Sequence, residues 1–215
     1  MVRTAILVSG GGTNLQAIIA AKLFGEISNC DLSCVISSNP DAYALERAKA
    51  VGINTTIIDV KKFPTRRTFN TALLQKFKDL DIELLVLAGF LHVLERPIIK
   101  AYENRIINVH PSLIPAFCGD GCYGLRVHQM ALDYGVKISG ATVHFVTEDV
   151  DAGPIILQKA VEILDNDTPQ ILQQRIMEEA EWEILPKAID LYCTGRLDVQ
   201  GRKVIIKEAD CVESK

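Results

Sequence analysis

Two polar side chains interrupt an otherwise apolar strand of this chain, and with one carboxylate further on their types are those of proton transfer. Asn108 and His110 stand two residues apart in Ile107-Asn108-Val109-His110-Pro111-Ser112-Leu113-Ile114-Pro115. Residues two apart on a strand share a face, so an amide donor and an imidazole converge at the strand's carboxyl end. Two prolines then stiffen the exit. A polar pair in an apolar strand needs partners, and such groups held in a cleft suit catalysis. The third residue is Asp151, in the acidic stretch Thr147-Glu148-Asp149-Val150-Asp151-Ala152-Gly153-Pro154. A carboxylate beside an imidazole raises its pKa and fixes its tautomer. Glu148 and Asp149 read as a solvated acidic turn. The turn Ala152-Gly153-Pro154 can aim Asp151 either inward or outward.

A second stretch, Ser9-Gly10-Gly11-Gly12-Thr13-Asn14, lies between a strand pattern and a helix pattern. Glycines let the backbone curl close to an anion. The amides of Thr13 and Asn14 at a helix start, with the Thr13 hydroxyl, suit a phosphate. The spacing is not G-x-G-x-x-G, because position 15 is leucine, and no Lys-Ser/Thr follows to make a Walker loop. The alternative is a tight turn capped by Thr13. His144 shares a strand face with Thr142 and Val146 and reads as a core or supporting histidine. His128 falls on a helix as a structural or surface residue. Cys118-Gly119-Asp120-Gly121-Cys122 with His128 lacks the second ligand pair of a zinc site. That stretch reads as a flexible loop with two reduced thiols, and no metal is expected.

The elements that must hold these groups follow from periodicity. Residues 4–8 form a short apolar run, and residues 14–24 are helical with Leu15, Ile18, Ile19 and Leu23 on one face. Strands are expected at 31–37, 53–58, 84–88 and 105–109, and helices at 41–51, 65–79 and 96–102. The continuous apolar run Leu84 to Ala88 marks a strand buried on both faces. Strand–helix alternation implies parallel strands with right-handed crossovers, and ligands beyond the strands' carboxyl ends. The glycine stretch, residues 89–92 and residues 108–110 all fall there. The second half changes character, with longer strands at 142–146 and 155–163. A helical stretch runs over 168–192, with Thr168 as N-cap and Pro169 in its first turn. Residues 204–206 add a last edge strand, and residues 211–215 read as frayed. The expectation is an α/β protein: a single doubly wound domain with a mostly parallel central sheet. Its N-terminal half is Rossmann-like, and its C-terminal half adds longer strands and a long helix. Residues 1–195 form the domain and 196–215 an extension.

Composition narrows the class. At 215 residues the chain amounts to roughly 1.4 average domains. With 48% apolar and 23% charged residues it is ordinary for a globular protein. Its formal charge of −4 disfavours a sequence-independent nucleic-acid binder. No apolar run is long enough to cross a bilayer, and the N-terminus lacks a signal-peptide core. Six cysteines, Cys30, Cys34, Cys118, Cys122, Cys193 and Cys211, are too few for a disulfide framework at this size. They read as reduced and the protein as cytoplasmic.

On these residues the chain resembles the phosphoribosylglycinamide formyltransferases. The resemblance rests on Ser9-Gly-Gly-Gly-Thr-Asn-Leu-Gln16, Leu87-Ala-Gly-Phe90, Asn108-Val-His-Pro-Ser-Leu-Ile-Pro115, Gly140-Ala-Thr-Val-His-Phe-Val146 and Asp151-Ala-Gly-Pro-Ile-Ile-Leu-Gln158. The Asn–His–Asp set is shared by a wider group using formyltetrahydrofolate; the opening loop and short length point to this member. The resemblance implies formyl transfer from 10-formyltetrahydrofolate, a cosubstrate, to the amine of glycinamide ribonucleotide in purine synthesis, without metal. It implies that Asn108, His110 and Asp151 are catalytic. The amide and a protonated imidazole would hold the oxygen of a tetrahedral intermediate. Asp151 would keep His110 protonated and steer a proton from the attacking nitrogen to the folate nitrogen. Gly12, Thr13 and Asn14 would hold the ribonucleotide phosphate, and Glu181 the ribose. Gly89, Phe90 and Leu91 would lie along the substrates, and Arg66 near the folate tail. Leu91, His92, Val93 and Leu94, with the backbone of Val146, Thr147, Glu148, Asp149 and Val150, would face the pterin. His144 would support the aspartate. Partners are small molecules, with no nucleic acid or membrane, and the protein is a monomer or homodimer.

The chain departs from the family pattern in three places. The loop 116–124 is longer, Trp182 stands where a histidine often follows the acidic residue, and the helix over 173–184 is one residue longer. Competing readings differ in what surrounds the domain. A formyltetrahydrofolate hydrolase is expected to carry an N-terminal regulatory domain. A methionyl-tRNA formyltransferase adds a C-terminal, often basic, domain. A non-catalytic nucleotide-binding module leaves Asn108, His110 and Asp151 without a task.

Overall fold

Along the first strand, Ile6 and Val8 enter one core while Ala5 and Leu7 enter another. Such two-sided burial requires helices on both faces of a sheet. The computed structural model describes residues 1–208; the frayed end expected at 211–215, and Cys211, lie outside the described residues. The order is β1 (Val2–Val8), α1 (Thr13–Leu23), β2 (Cys30–Ser37), α2 (Ala44–Ala50), β3 (Thr55–Ile57), α3 (Arg66–Asp79), β4 (Leu84–Leu87), α4 (Arg96–Ala101) and β5 (Ile106–His110). These five strands pair in parallel in the order β3-β2-β1-β4-β5. Residues of α1 and α2 pack with one core, and Phe69, Leu73 and Phe77 of α3 with Ile98 of α4 pack with the other. The fold is α/β with a mostly parallel central sheet.

After α5 (Leu125–Tyr134) the direction reverses. β6 (Ile138–Phe145) runs antiparallel to β5, and β7 (Ile155–Glu162) antiparallel to β6. There follow α6 (Pro169–Ile176), a π-turn (Met177–Glu181), α7 (Trp182–Cys193), β8 (Leu197–Gln200) and β9 (Lys203–Ile206). The complete sheet reads β3-β2-β1-β4-β5-β6-β7-β9-β8.

Several sequence expectations are corrected here. β6 starts four residues before Thr142 and ends before Val146. Gly140, which hides the pattern, sits mid-strand because a Cβ there would lie 2.1 Å from the Lys159 carbonyl oxygen of β7. The strand over 204–206 is not the edge: β9 lies between β7 and β8, and β8 is the edge strand. The helical stretch 168–192 is interrupted by the π-turn, which winds i→i+5 and absorbs one extra residue. Pro186 explains its place, since it offers no N–H to the Trp182 carbonyl and its ring crowds that oxygen.

Helix α3 begins with a capping box. The Thr65 hydroxyl accepts from the Thr68 N–H at 3.2 Å, and the Thr68 hydroxyl accepts from the Thr65 N–H at 3.3 Å. Thr65→Ala removes one half of it, and the expected loss is about 1 kcal/mol in a urea titration.

Candidate active site

β5 and β6 lie in register, so that Asn108 opposes His144 and His110 opposes Thr142. Period-two alternation puts all four on one face of the sheet. The Asn108 Nδ2 donates to His144 Nε2 at 3.2 Å. His144 Nδ1 donates to the Phe145 carbonyl at 2.9 Å, and His110 Nε2 donates to the Phe117 carbonyl at 2.9 Å. Because a carbonyl accepts only, these contacts fix one proton on each ring. The two remaining nitrogens face one carboxylate. His110 Nδ1 is 3.4 Å from Asp151 Oδ2, and His144 Nε2 is 3.6 Å from Asp151 Oδ1. The Gly119 N–H donates to Asp151 Oδ2 at 3.1 Å.

The turn that offered Asp151 two directions aims it inward. Asp151 takes φ 53, a left-handed conformation that aspartate tolerates better than most side chains. Two residues on, Gly153 passes so close to β6 that a Cβ would lie 1.7 Å from the Phe145 carbonyl oxygen. The side chains of His110, His144 and Asp151 are 5%, 2% and 10% exposed, so the triad is largely removed from water.

Burial pushes His110 below its ordinary value; Asp151 and the Phe117 carbonyl oppose this without overcoming it, and His144 adds to it. That direction runs against the expectation that Asp151 keeps His110 protonated. Burial works the other way on Asp151. The neighbouring His144 and His110 rings and the Gly119 amide outweigh it and hold the carboxyl below its ordinary value. The site thus presents a carboxyl and a His110 imidazole that are both held below their ordinary values.

The group forms the floor of a cavity of about 590 Å³. Its walls include Gly89, Phe90, Leu91, His92, Val93 and Leu94 after β4, and Val146, Thr147, Glu148 and Val150 before Asp151. Leu91, Val93 and Val150 show apolar surface to solvent there. Of the pterin-facing residues expected from sequence, Asp149 is not among those lining the cavity. Glu148 pairs with Arg96 at 3.0 Å on the surface. Arg66 lines a neighbouring cavity of about 460 Å³ with Arg67 and Arg96; Val93, Leu94 and Glu148 border both. Sequence reasoning missed Gly119 to Gly124, which line the first cavity. The signal was their unusual length directly after Asn108 to Pro115.

The glycine stretch and Glu181 form a second cluster. Gly12, at φ 72, is the N-cap of α1, so Thr13 is the first helical residue and not the cap. A Cβ on Gly12 would meet that of Ala44 at 2.6 Å. The Thr13 hydroxyl points to Met177 Sδ at 3.7 Å, and Asn14 Nδ2 donates to Glu181 Oε2 at 2.6 Å. Burial pushes Glu181 up to about 7, against the lowering effect of Asn14. Arg47, also missed, holds the Gly11 carbonyl through Nε at 2.9 Å. The Ser9 hydroxyl accepts the Leu91 N–H at 3.1 Å and so ties this stretch to the cavity wall.

His128 proves structural: it is 1% exposed, and neither ring nitrogen has a protein partner. Burial, with His110 adding, pushes it down to about 4. In the unfolded chain it takes up its proton near pH 6.5. Between these values the unfolded state binds the extra proton, so stability is complete above about pH 6.5 and falls as the pH drops toward 4. Urea titrations at pH values spanning this window are expected to show wild type losing about 3 kcal/mol that His128→Leu keeps.

No helix among the described residues is long and apolar enough to cross a membrane. The family model for formyl transferases matches residues 2–189. A phosphoribosylglycinamide formyltransferase from Haemophilus influenzae is 38% identical over 197 residues, 92% of this chain and 90% of that protein. The trifunctional purine biosynthetic protein adenosine-3 of Gallus gallus is 38% identical over 198 residues, 92% of this chain; the chain spans 19% of that protein's length. The crystal structure of glycinamide ribonucleotide transformylase 1 from Symbiobacterium toebii superposes with a TM-score of 0.90 at 44% identity, covering 97% of this chain and 95% of that one. With Asp151 brought against the two histidines and these likenesses along nearly its whole length, the chain belongs to the formyl transferase family and, within it, to the phosphoribosylglycinamide formyltransferases.

Proposed function

We propose that the chain transfers the formyl group of 10-formyltetrahydrofolate to the amine of glycinamide ribonucleotide, releasing tetrahydrofolate and formylglycinamide ribonucleotide. The observation that carries this reading is the Asp151 carboxylate, 3.4 Å from His110 Nδ1 and 3.6 Å from His144 Nε2 at the floor of an apolar-walled cavity. A cavity of this size and lining suits a flat heteroaromatic ring. The folate supplies the formyl group; the chain orients it and handles the proton.

As the amine nitrogen bonds to the formyl carbon, negative charge grows on the formyl oxygen. The second N–H of Asn108 and the Nε2–H of His110 are the donors for it. That Nε2–H already donates to the Phe117 carbonyl at 2.9 Å, so the formyl oxygen shares it as a second acceptor. The attacking nitrogen gives its proton to the Asp151–His110–His144 group. The same group returns it to the folate nitrogen as the old C–N bond breaks. Gly12, Thr13, Asn14 and Glu181 bind the ribonucleotide, Arg66 the acidic tail of the folate, and residues 89–94 and 146–150 the ring. Residues 1–195 form the catalytic domain, acting as a monomer or homodimer. The five free thiols among the described residues suit a reducing, cytoplasmic setting.

The test is product analysis by mass spectrometry with 10-formyltetrahydrofolate, with and without glycinamide ribonucleotide. Formylglycinamide ribonucleotide is expected only when the acceptor is present. Formate released equally in both tubes would overturn the reading in favour of a hydrolase.

A further inference from the structure

A row of three cross-strand neighbours runs over the sheet, His110 on β5, Thr142 on β6 and Gln158 on β7. Gln158 is the outermost. Its Nε2 donates to the Thr142 hydroxyl at 2.9 Å and to the Ile114 carbonyl at 3.0 Å. Thr142 is fully buried, and its hydroxyl also accepts the Ile114 N–H at 3.1 Å and donates to the Ser112 carbonyl at 2.7 Å. One donor and two acceptor sites exhaust what a hydroxyl offers. Ser112, also fully buried, donates through Oγ to the Ala116 carbonyl at 2.6 Å. The segment from Ser112 to Phe117 is therefore clamped from beneath. At its end Phe117 is held at φ 50, a conformation rare for such a side chain, with its carbonyl on His110 Nε2.

That carbonyl competes with Asp151 for the ring's one proton. Asp151 Oδ2 faces Nδ1 and draws the proton there; the Phe117 carbonyl draws it to Nε2. A neutral imidazole satisfies only one of the two, and the position of the carbonyl decides which. We propose that Gln158 is a positioning residue for His110: through Thr142, Ile114 and Ser112 it holds the Phe117 carbonyl so that the imidazole keeps its proton on Nε2 and leaves Nδ1 open toward Asp151. The inference rests on the formyl-transfer reading only for its kinetic consequence. The tautomer itself is observable whatever the reaction.

Gln158 is an exposed strand residue, so its replacement leaves the core intact. In protein labelled with nitrogen-15 histidine, at mildly alkaline pH, long-range proton–nitrogen spectra separate the two tautomers of a neutral ring. Wild type is expected to show His110 as the Nε2–H form. Gln158→Leu and Thr142→Val are expected to move it to a mixture with Nδ1–H, and Thr142→Ser, which keeps the hydroxyl, to restore the wild-type pattern. His144, bonded to the Phe145 carbonyl, serves as an unchanged reference. The same two variants are expected to lower kcat about tenfold with KM for both substrates little changed. An Nδ1–H ring in wild type, or an Nε2–H ring that persists in both folded variants, overturns the proposal. The Nε2–H ring in wild type and its shift in the variants, with no formyl transfer by wild type, refutes the functional reading instead.

Discussion

Replacing Asp151 by asparagine is expected to lower kcat about a thousandfold, the size of a general acid–base contribution. The change keeps the side chain's shape, and asparagine accepts the left-handed conformation at φ 53 at least as well as aspartate. What it removes is the charge between His110 Nδ1 and His144 Nε2, and with it the proposed acceptor for the proton of the attacking nitrogen. The apolar walls after β4 do not touch this exchange, so KM for the folate should change little. Steady-state kinetics at saturating substrate, with a thermal melt to establish folding, make the measurement. A folded variant within tenfold of wild type would exclude Asp151 from proton transfer.

The second large effect is on stability. Gly153→Ala places a Cβ 1.7 Å from the Phe145 carbonyl oxygen and 2.8 Å from its carbon. Both contacts are with backbone, so no side chain can swing aside. That oxygen also accepts from His144 Nδ1, and the Phe145 N–H donates to the Pro154 carbonyl at 2.9 Å. Separating the strands to admit one methyl therefore breaks bonds on both sides of the turn that carries Asp151. The expected loss is at least about 3 kcal/mol in a urea titration, with activity lost along with it. A variant less than about 1 kcal/mol below wild type would show that the turn yields more easily than its geometry implies.

The parallel half of the sheet was readable from sequence because apolar periodicity and turn residues agree there. Phe69, Leu73 and Phe77 recur at helical spacing, and Leu84 to Leu87 form an unbroken apolar run. The polar residues Asn108 and His110 stood out against an apolar strand for the same reason. The antiparallel half was harder. Gly140 breaks the pattern of β6, and only the nearness of β7 explains it. Leu197 to Gln200 carry no periodic signal, because an edge strand buries little. The inward aim of Asp151 and the closeness of Gly119 depend on contacts between segments over thirty residues apart. The lowering of His110 follows from burial, a property of the whole fold that no local pattern encodes.

The π-turn between α6 and α7 shows how an insertion can be confined. One surplus residue in a helix rotates everything after it by about 100°, since a turn holds 3.6 residues. Here Leu172 and Ile176 before the turn and Ile184, Leu185 and Ile189 after it enter the same core. The phase error is absorbed within Met177 to Glu181, and that segment puts the Glu181 carboxyl against Asn14. The two helices behave as one periodic object with a single dislocation, and the dislocation sits against the glycine stretch at the start of α1. A perfectly regular helix would serve the core as well and would carry the carboxyl away from its partner.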